Sequence, residues 1–197
     1  MPTLTSFAKL CAVALLCAAT TVPAQAAGIG GLGRSIGGID AVKRISMQRP
    51  TLAPFSYVMF CQQNPDDCRS GATDVITMTP SARRTLATIN RHVNRSIKPR
   101  SDRTDVWSAD PARGDCEDYA LTKRRALIRA GLPASALLMA VARTRYGEGH
   151  AVLVARTTTG DLVLDNRSNV LREWYRTDLS WQKIASGENP RLWYAVH

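Results

Sequence analysis

The chain has 197 residues, of which 45% are hydrophobic and 21% charged, a balance that supports one folded domain with a real core and excludes a chain disordered throughout. The formal charge is +10. The basic residues are scattered, as in Arg83-Arg84, Lys98, Arg100, Arg103, Lys123-Arg124-Arg125 and Arg143, with no long block and no nucleic-acid motif. They describe a solvated basic surface and exclude a nucleic acid as partner.

The chain opens with a segment of a different kind. Lys9 is the only charge before Arg34, Leu10 to Ala19 is an uninterrupted apolar run, and Ala24-Gln25-Ala26 follows Pro23. A charged start, an apolar middle and a small-residue exit predict a cleaved signal peptide over residues 1–26. The run is too short for a comfortable membrane span. The mature protein is therefore expected outside the cytoplasm, periplasmic or secreted, with no stable membrane span. Residues 27–52 begin with glycine-rich GIGGLGRSIGG and read as a flexible lead-in, and residues 53–197 as the folded domain.

Ala53 to Cys61 (APFSYVMFC) reads as an aromatic, strand-like or buried segment. Cys61 and Cys68 flank Asn64-Pro65-Asp66-Asp67, a turn-forming sequence, and an oxidising compartment would let them pair. That leaves Cys116 as the odd thiol of the mature chain; by count alone, a bridge from Cys116 to either partner stays open. After Thr79-Pro80-Ser81, Leu86, Ile89, Val93 and Ile97 recur at helical spacing until Lys98-Pro99 ends the pattern. A polar loop with Trp107 and Pro111 leads to Gly114-Asp115 and a helix from about Cys116 to Ala130. Asp115 is a fit N-cap, Glu117 and Asp118 suit the first turn, and Gly131-Leu132-Pro133 is a stop signal. Strands are then expected at Leu137 to Thr144, His150 to Ala155, Leu162 to Asp165 and Leu192 to Val196. Short connections imply antiparallel pairing, and one nucleophile helix against such a sheet gives an α+β class.

The chemistry converges on three residues. Cys116 stands at a helix N-terminus, where the dipole favours a thiolate and main-chain N–H groups can receive an oxyanion. Among the histidines, His197 ends the chain and His92 lies on the solvent side of an arginine-rich helix, whereas His150 starts an apolar strand. If strands 150–155 and 162–165 form a hairpin, His150 and Asp165 become neighbours, and the acid can fix the imidazole. Catalytic Cys116, His150 and Asp165 follow as the expected triad. It serves hydrolysis through a thioester or acyl transfer to an amine equally well, and a binding protein that kept the fold without activity is a third reading.

Gly114-Asp115-Cys116-Glu117-Asp118-Tyr119-Ala120 resembles the nucleophile motif of the bacterial transglutaminase-like cysteine proteinases. His150-Ala151-Val152-Leu153 resembles their histidine strand, Leu164-Asp165-Asn166 their aspartate segment, and Trp107 stands where they commonly carry a tryptophan. The resemblance, over about residues 79–196, implies a papain/transglutaminase-like fold and an exported cysteine peptidase acting on a protein substrate, a cell-surface adhesin in LapG-type members. It also implies Ca2+ held by the acids flanking the nucleophile, Asp115 and Glu117 here. No cofactor is needed for the thiol chemistry itself.

Overall fold

The computed structural model describes residues 43–101 and 105–196. The signal peptide expected at residues 1–26 lies outside them. In chain order the elements are β1 (Pro50–Thr51), α1 (Phe55–Gln63), a 3-10 turn (Pro65–Cys68), α2 (Pro80–Ser96), β2 (Lys98–Pro99), β3 (Arg113–Gly114) and α3 (Cys116–Arg129). The second half supplies β4 (Leu137–Arg143), β5 (Gly149–Thr157), β6 (Gly160–Leu164), β7 (Arg172–Glu173), β8 (Ser180–Ala185) and β9 (Trp193–Ala195). Seven strands form one antiparallel sheet in the order β1-β9-β8-β4-β5-β6-β7, while β2 and β3 pair in parallel beside it. This is the α+β, transglutaminase-like architecture expected, with a larger sheet than the four strands read from the sequence.

The helices begin where local chemistry says they should. Thr79 caps α2 by accepting the Ala82 N–H at 3.1 Å, with Pro80 at the first helical position. Asp115 and Asp118 form a capping box at the start of α3. Gly131, at φ 86°, lets the chain leave that helix in a conformation other residues adopt at a cost. The sheet then sorts side chains by alternation. Met139 of β4 and Ala151, Leu153 and Ala155 of β5 join the core that also holds Tyr57, Leu121, Leu127 and Trp193. Leu138, Ala140, Val152 and Val154 join a second core closed by Ile45, Leu179 and Val196. β4 and β5 are thus buried on both faces, which fixes their register and leaves the end of β5 as a rigid mount.

Two segments differ from the expectation. Ala53 to Cys61 contains a helix, α1, because Tyr57, Phe60 and Cys61 fall on one helical face and all three are buried. Tyr57 packs edge-on against Trp107 at 5.7 Å and Trp193 at 5.3 Å between ring centroids. Residues 43–51, counted by sequence with the lead-in, are tied into the fold. The Ile45 N–H donates to Asp161 Oδ2 at 2.8 Å, the Gln48 N–H to the Ala195 carbonyl at 2.9 Å, and β1 pairs with β9. After α1, Cys61 and Cys68 are disulfide-bonded. The turn they close offers the Asp67 carbonyl to Arg124 and the Asp67 carboxylate to Arg125, both on α3.

Candidate active site

Cys116 is the first residue of α3, and the chain around it is built to bring it there. Gly114 leaves room for the Asp118 side chain to fold back, since a Cβ on Gly114 would lie 2.1 Å from Asp118 Oδ2. The Asp118 carboxylate in turn accepts the Ser108 N–H at 2.8 Å, the Ser108 hydroxyl at 3.1 Å and the Asp115 N–H at 3.3 Å. The loop before the helix and the helix start are therefore locked together through one buried acid. The Cys116 sulfur accepts the Ala151 N–H at 3.2 Å, and its S–H donates to Glu117 Oε2 at 3.3 Å. Burial pushes this thiol up to about 12; the Ala151 N–H works against the rise, and Glu117 and Asp115 add to it. The helix dipole alone implied the opposite direction. A thiol here sheds its proton only to a partner that carries it away.

His150 lies near the start of β5, directly before Ala151, and is buried. Its Nε2 meets Asp165 Oδ1 at 2.9 Å. β5 and β6 pair as Leu153 with Leu164, so Asp165 is the first residue past the ladder and its side chain is free to turn toward the histidine. With Nε2 engaged, Nδ1 is the ring nitrogen left for a thiol. Asp165 is held from several sides. Arg167 donates its main-chain N–H to Oδ1 at 2.8 Å and its Nε and Nη2 to Oδ2 at 3.0 and 2.8 Å, while also bridging to Asp178. Burial would raise the Asp165 carboxyl, but the bonds from His150 and Arg167 outweigh it and hold the group well below the usual carboxylate range. From α2, Asn94 Nδ2 donates to the Asp165 carbonyl at 3.1 Å and Asn90 Nδ2 to the Ser168 carbonyl at 2.9 Å.

The structure thus brings together Cys116, His150 and Asp165, with Asp115 and Glu117 beside the sulfur. Of these, Cys116, His150 and Asp115 line a cavity of about 240 Å³ whose walls also include Arg100, Gly114, Tyr119, Glu148 and Arg167. A larger one, about 500 Å³, lies past Asp165 and Arg167 and is lined by neither Cys116 nor His150. His92 is exposed on α2, and His197 lies outside the described residues. Sequence reasoning missed Arg167, Asn90 and Asn94. Their roles depend on contacts with Asp165 and Ser168 across the fold, and only the position of Arg167 two residues after Asp165 carried a signal.

Ligand oxygens of Asp115, Glu117 and Asp118 lie within 4.8 Å of one another. The Asp118 carboxylate is already committed to the Ser108 N–H and hydroxyl and the Asp115 N–H, so Glu117, with Asp115 beside it, is the group to consider for a cation. Among the described residues no donor reaches the buried Glu117 Oε1, and burial together with the nearby Asp115 pushes the Glu117 carboxyl up to about 9. A buried carboxylate oxygen short of a donor, Glu117 Oε1, beside the second acid Asp115 fits a hard cation with oxygen ligands.

Comparison with known proteins gives the family. The family model described as bacterial transglutaminase-like cysteine proteinase matches residues 47–197. No curated protein matches the chain. Among solved structures, calcium-bound LapG of Legionella pneumophila is similar at 25% identity and a TM-score of 0.50, over 60% of this chain and 71% of that one. A second structure of Legionella pneumophila LapG gives 25% identity and 0.51, over 58% and 69%.

Proposed function

The chain belongs to the bacterial transglutaminase-like cysteine proteinases, and from that premise we propose that Cys116, His150 and Asp165 are the catalytic triad of an exported peptidase that cleaves a cell-surface protein of the adhesin type. The observation that carries the triad is a single junction. The His150 Nε2 is bound to Asp165 at 2.9 Å, and the N–H of the very next residue meets the Cys116 sulfur at 3.2 Å.

In the proposed reaction the Cys116 proton passes to His150 Nδ1 as the sulfur bonds to the substrate carbonyl carbon. Main-chain N–H groups at the start of α3 receive the oxygen that becomes negative. The proton on His150 then goes to the departing amine, the C–N bond breaks, and a thioester remains. Water, deprotonated by His150, attacks it and releases the acid and the free thiol. Asp165 holds the ring and stabilises its charged form throughout, and because Arg167 keeps Asp165 ionised, the carboxylate does not take the proton itself.

Export, to the periplasm or beyond, is supported by the Lys9, apolar run and Ala24-Gln25-Ala26 pattern over residues 1–26, and by the Cys61–Cys68 bond, which suits an oxidising compartment. Among the described residues no helix is long and apolar enough to cross a membrane. Calcium is proposed at Asp115 and Glu117, where it would neutralise the two acids that sit beside the nucleophile.

The test uses bacterial surface proteins as substrate. Wild-type protein releases defined fragments, read by mass spectrometry, and Cys116→Ala and His150→Ala release none while keeping the wild-type circular dichroism. Fragments of equal pattern from either variant overturn the proposal.

A further inference from the structure

Lys123 lies in the middle of α3 and is fully buried. A lysine is among the residues least suited to that position, because its ammonium loses its water and a methionine would fill the same volume without the loss. Burial accordingly pushes the ammonium down to about 7, and the attraction of Asp165 works against that fall. Its Nζ donates to the carbonyl of Leu164 at 3.4 Å. Leu164 is the last residue of β6, and Asp165 follows it. The titratable groups in this neighbourhood are Asp165 with its partners Arg167 and His150; the residues that α2 buries, Leu86, Asn90 and Val93, do not titrate.

We propose that Lys123 is a positioning residue for the peptidase reaction, holding the end of β6 from the core so that Asp165 is presented to His150. The inference rests on the triad reading above. It completes a set of three grips on one short segment: Lys123 takes the carbonyl before Asp165, Asn94 takes the carbonyl of Asp165, and Arg167 takes its carboxylate. Two of the three come from helices, Lys123 from α3 and Asn94 from α2, so the nucleophile helix also orients the acid of the triad.

Lys123→Met separates this from a structural role. A lysine kept only for packing or stability predicts that the variant melts lower and loses activity in proportion. The positioning role predicts a melting temperature equal to or above that of the wild type, since a buried charge is replaced by an apolar chain of similar size. It predicts in addition that kcat falls by about tenfold with KM little changed, as a misaligned reacting group requires. The downfield proton resonance of the His150–Asp165 hydrogen bond should shift or broaden. Asp165→Asn is measured in the same surface-protein cleavage assay. If Asp165→Asn is fully active, the triad reading fails. If Asp165→Asn is impaired while Lys123→Met keeps wild-type kcat and an unmoved resonance, only the role of Lys123 is overturned. A variant that melts far below the wild type overturns it as well.

Discussion

Replacing Gly114 by alanine puts a methyl group 2.1 Å from Asp118 Oδ2 and 2.8 Å from Asp118 Cβ and Cγ, so the carboxylate has to leave. It then gives up the Ser108 N–H, the Ser108 hydroxyl and the Asp115 N–H. Hydrogen bonds to a charged group contribute about 1.5–3 kcal/mol each, so leaving two of the three unreplaced costs about 3–6 kcal/mol. The unfolded chain becomes stiffer by the same change, which returns about 0.5–1 kcal/mol. The net expectation is a loss of about 2–5 kcal/mol in urea denaturation followed by tryptophan fluorescence. Activity should fall as well, because Cys116 is two residues away on the same turn. Asp118→Gly removes the three atoms the new methyl meets first, so Gly114→Ala in that background should cost less than about 1 kcal/mol, and the coupling between the two sites should be large. A single variant within about 0.5 kcal/mol of the wild type, the range of an inert surface change, or an undiminished cost in the double variant would refute the clash as the cause.

The remaining predictions concern ions. Asp165 has a folded-state pKa below its unfolded one, so its contribution to stability is present above about pH 4 and is lost as pH falls through the lowered value. Arg167→Met should therefore lower stability near neutrality and move acid unfolding to higher pH, with Asp178 adding a smaller effect of the same sign; a pH-independent loss would contradict this. Calcium at about a hundredfold over its dissociation constant should stabilise the protein by about 2.7 kcal/mol. The gain should vanish with a chelator and in Glu117→Gln, and thermal melts that ignore calcium would leave the two acids as capping groups alone.

What could be read from the sequence was whatever depends on neighbours along the chain. α2 and α3 announce themselves by apolar period, caps and stop residues, and β4, β5 and β6 by short apolar runs with tight turns. The order Cys116, His150, Asp165 was legible because each residue sits at the end of one of those elements. α1 was harder, because aromatic and β-branched residues also suit strands, and its helical face is visible only when Tyr57, Phe60 and Cys61 are counted together. β8 (SWQKIA) mixes polar and apolar residues, and its burial comes from β4 and β9 on either side. Arg167 and Asn94 matter through bonds made across the fold. The state of the Cys116 thiol depends on how deeply the sulfur is buried beside two acids, which no reading of helix polarity contains.

The order of strands has a consequence for how the chain comes to be finished. β1 is an edge strand whose partner is β9, with Pro50 opposite Tyr194 and Thr51 opposite Trp193. Synthesis delivers β1 first among the strands and β9 last, so the first strand waits, unpaired, for nearly the whole chain to emerge. A chain cut short after β8 would lose the anchoring of β1 along with β9, and Tyr57 would face a void where Trp193 belongs. That edge of the sheet therefore closes late, by a pairing of the first and last of the described strands.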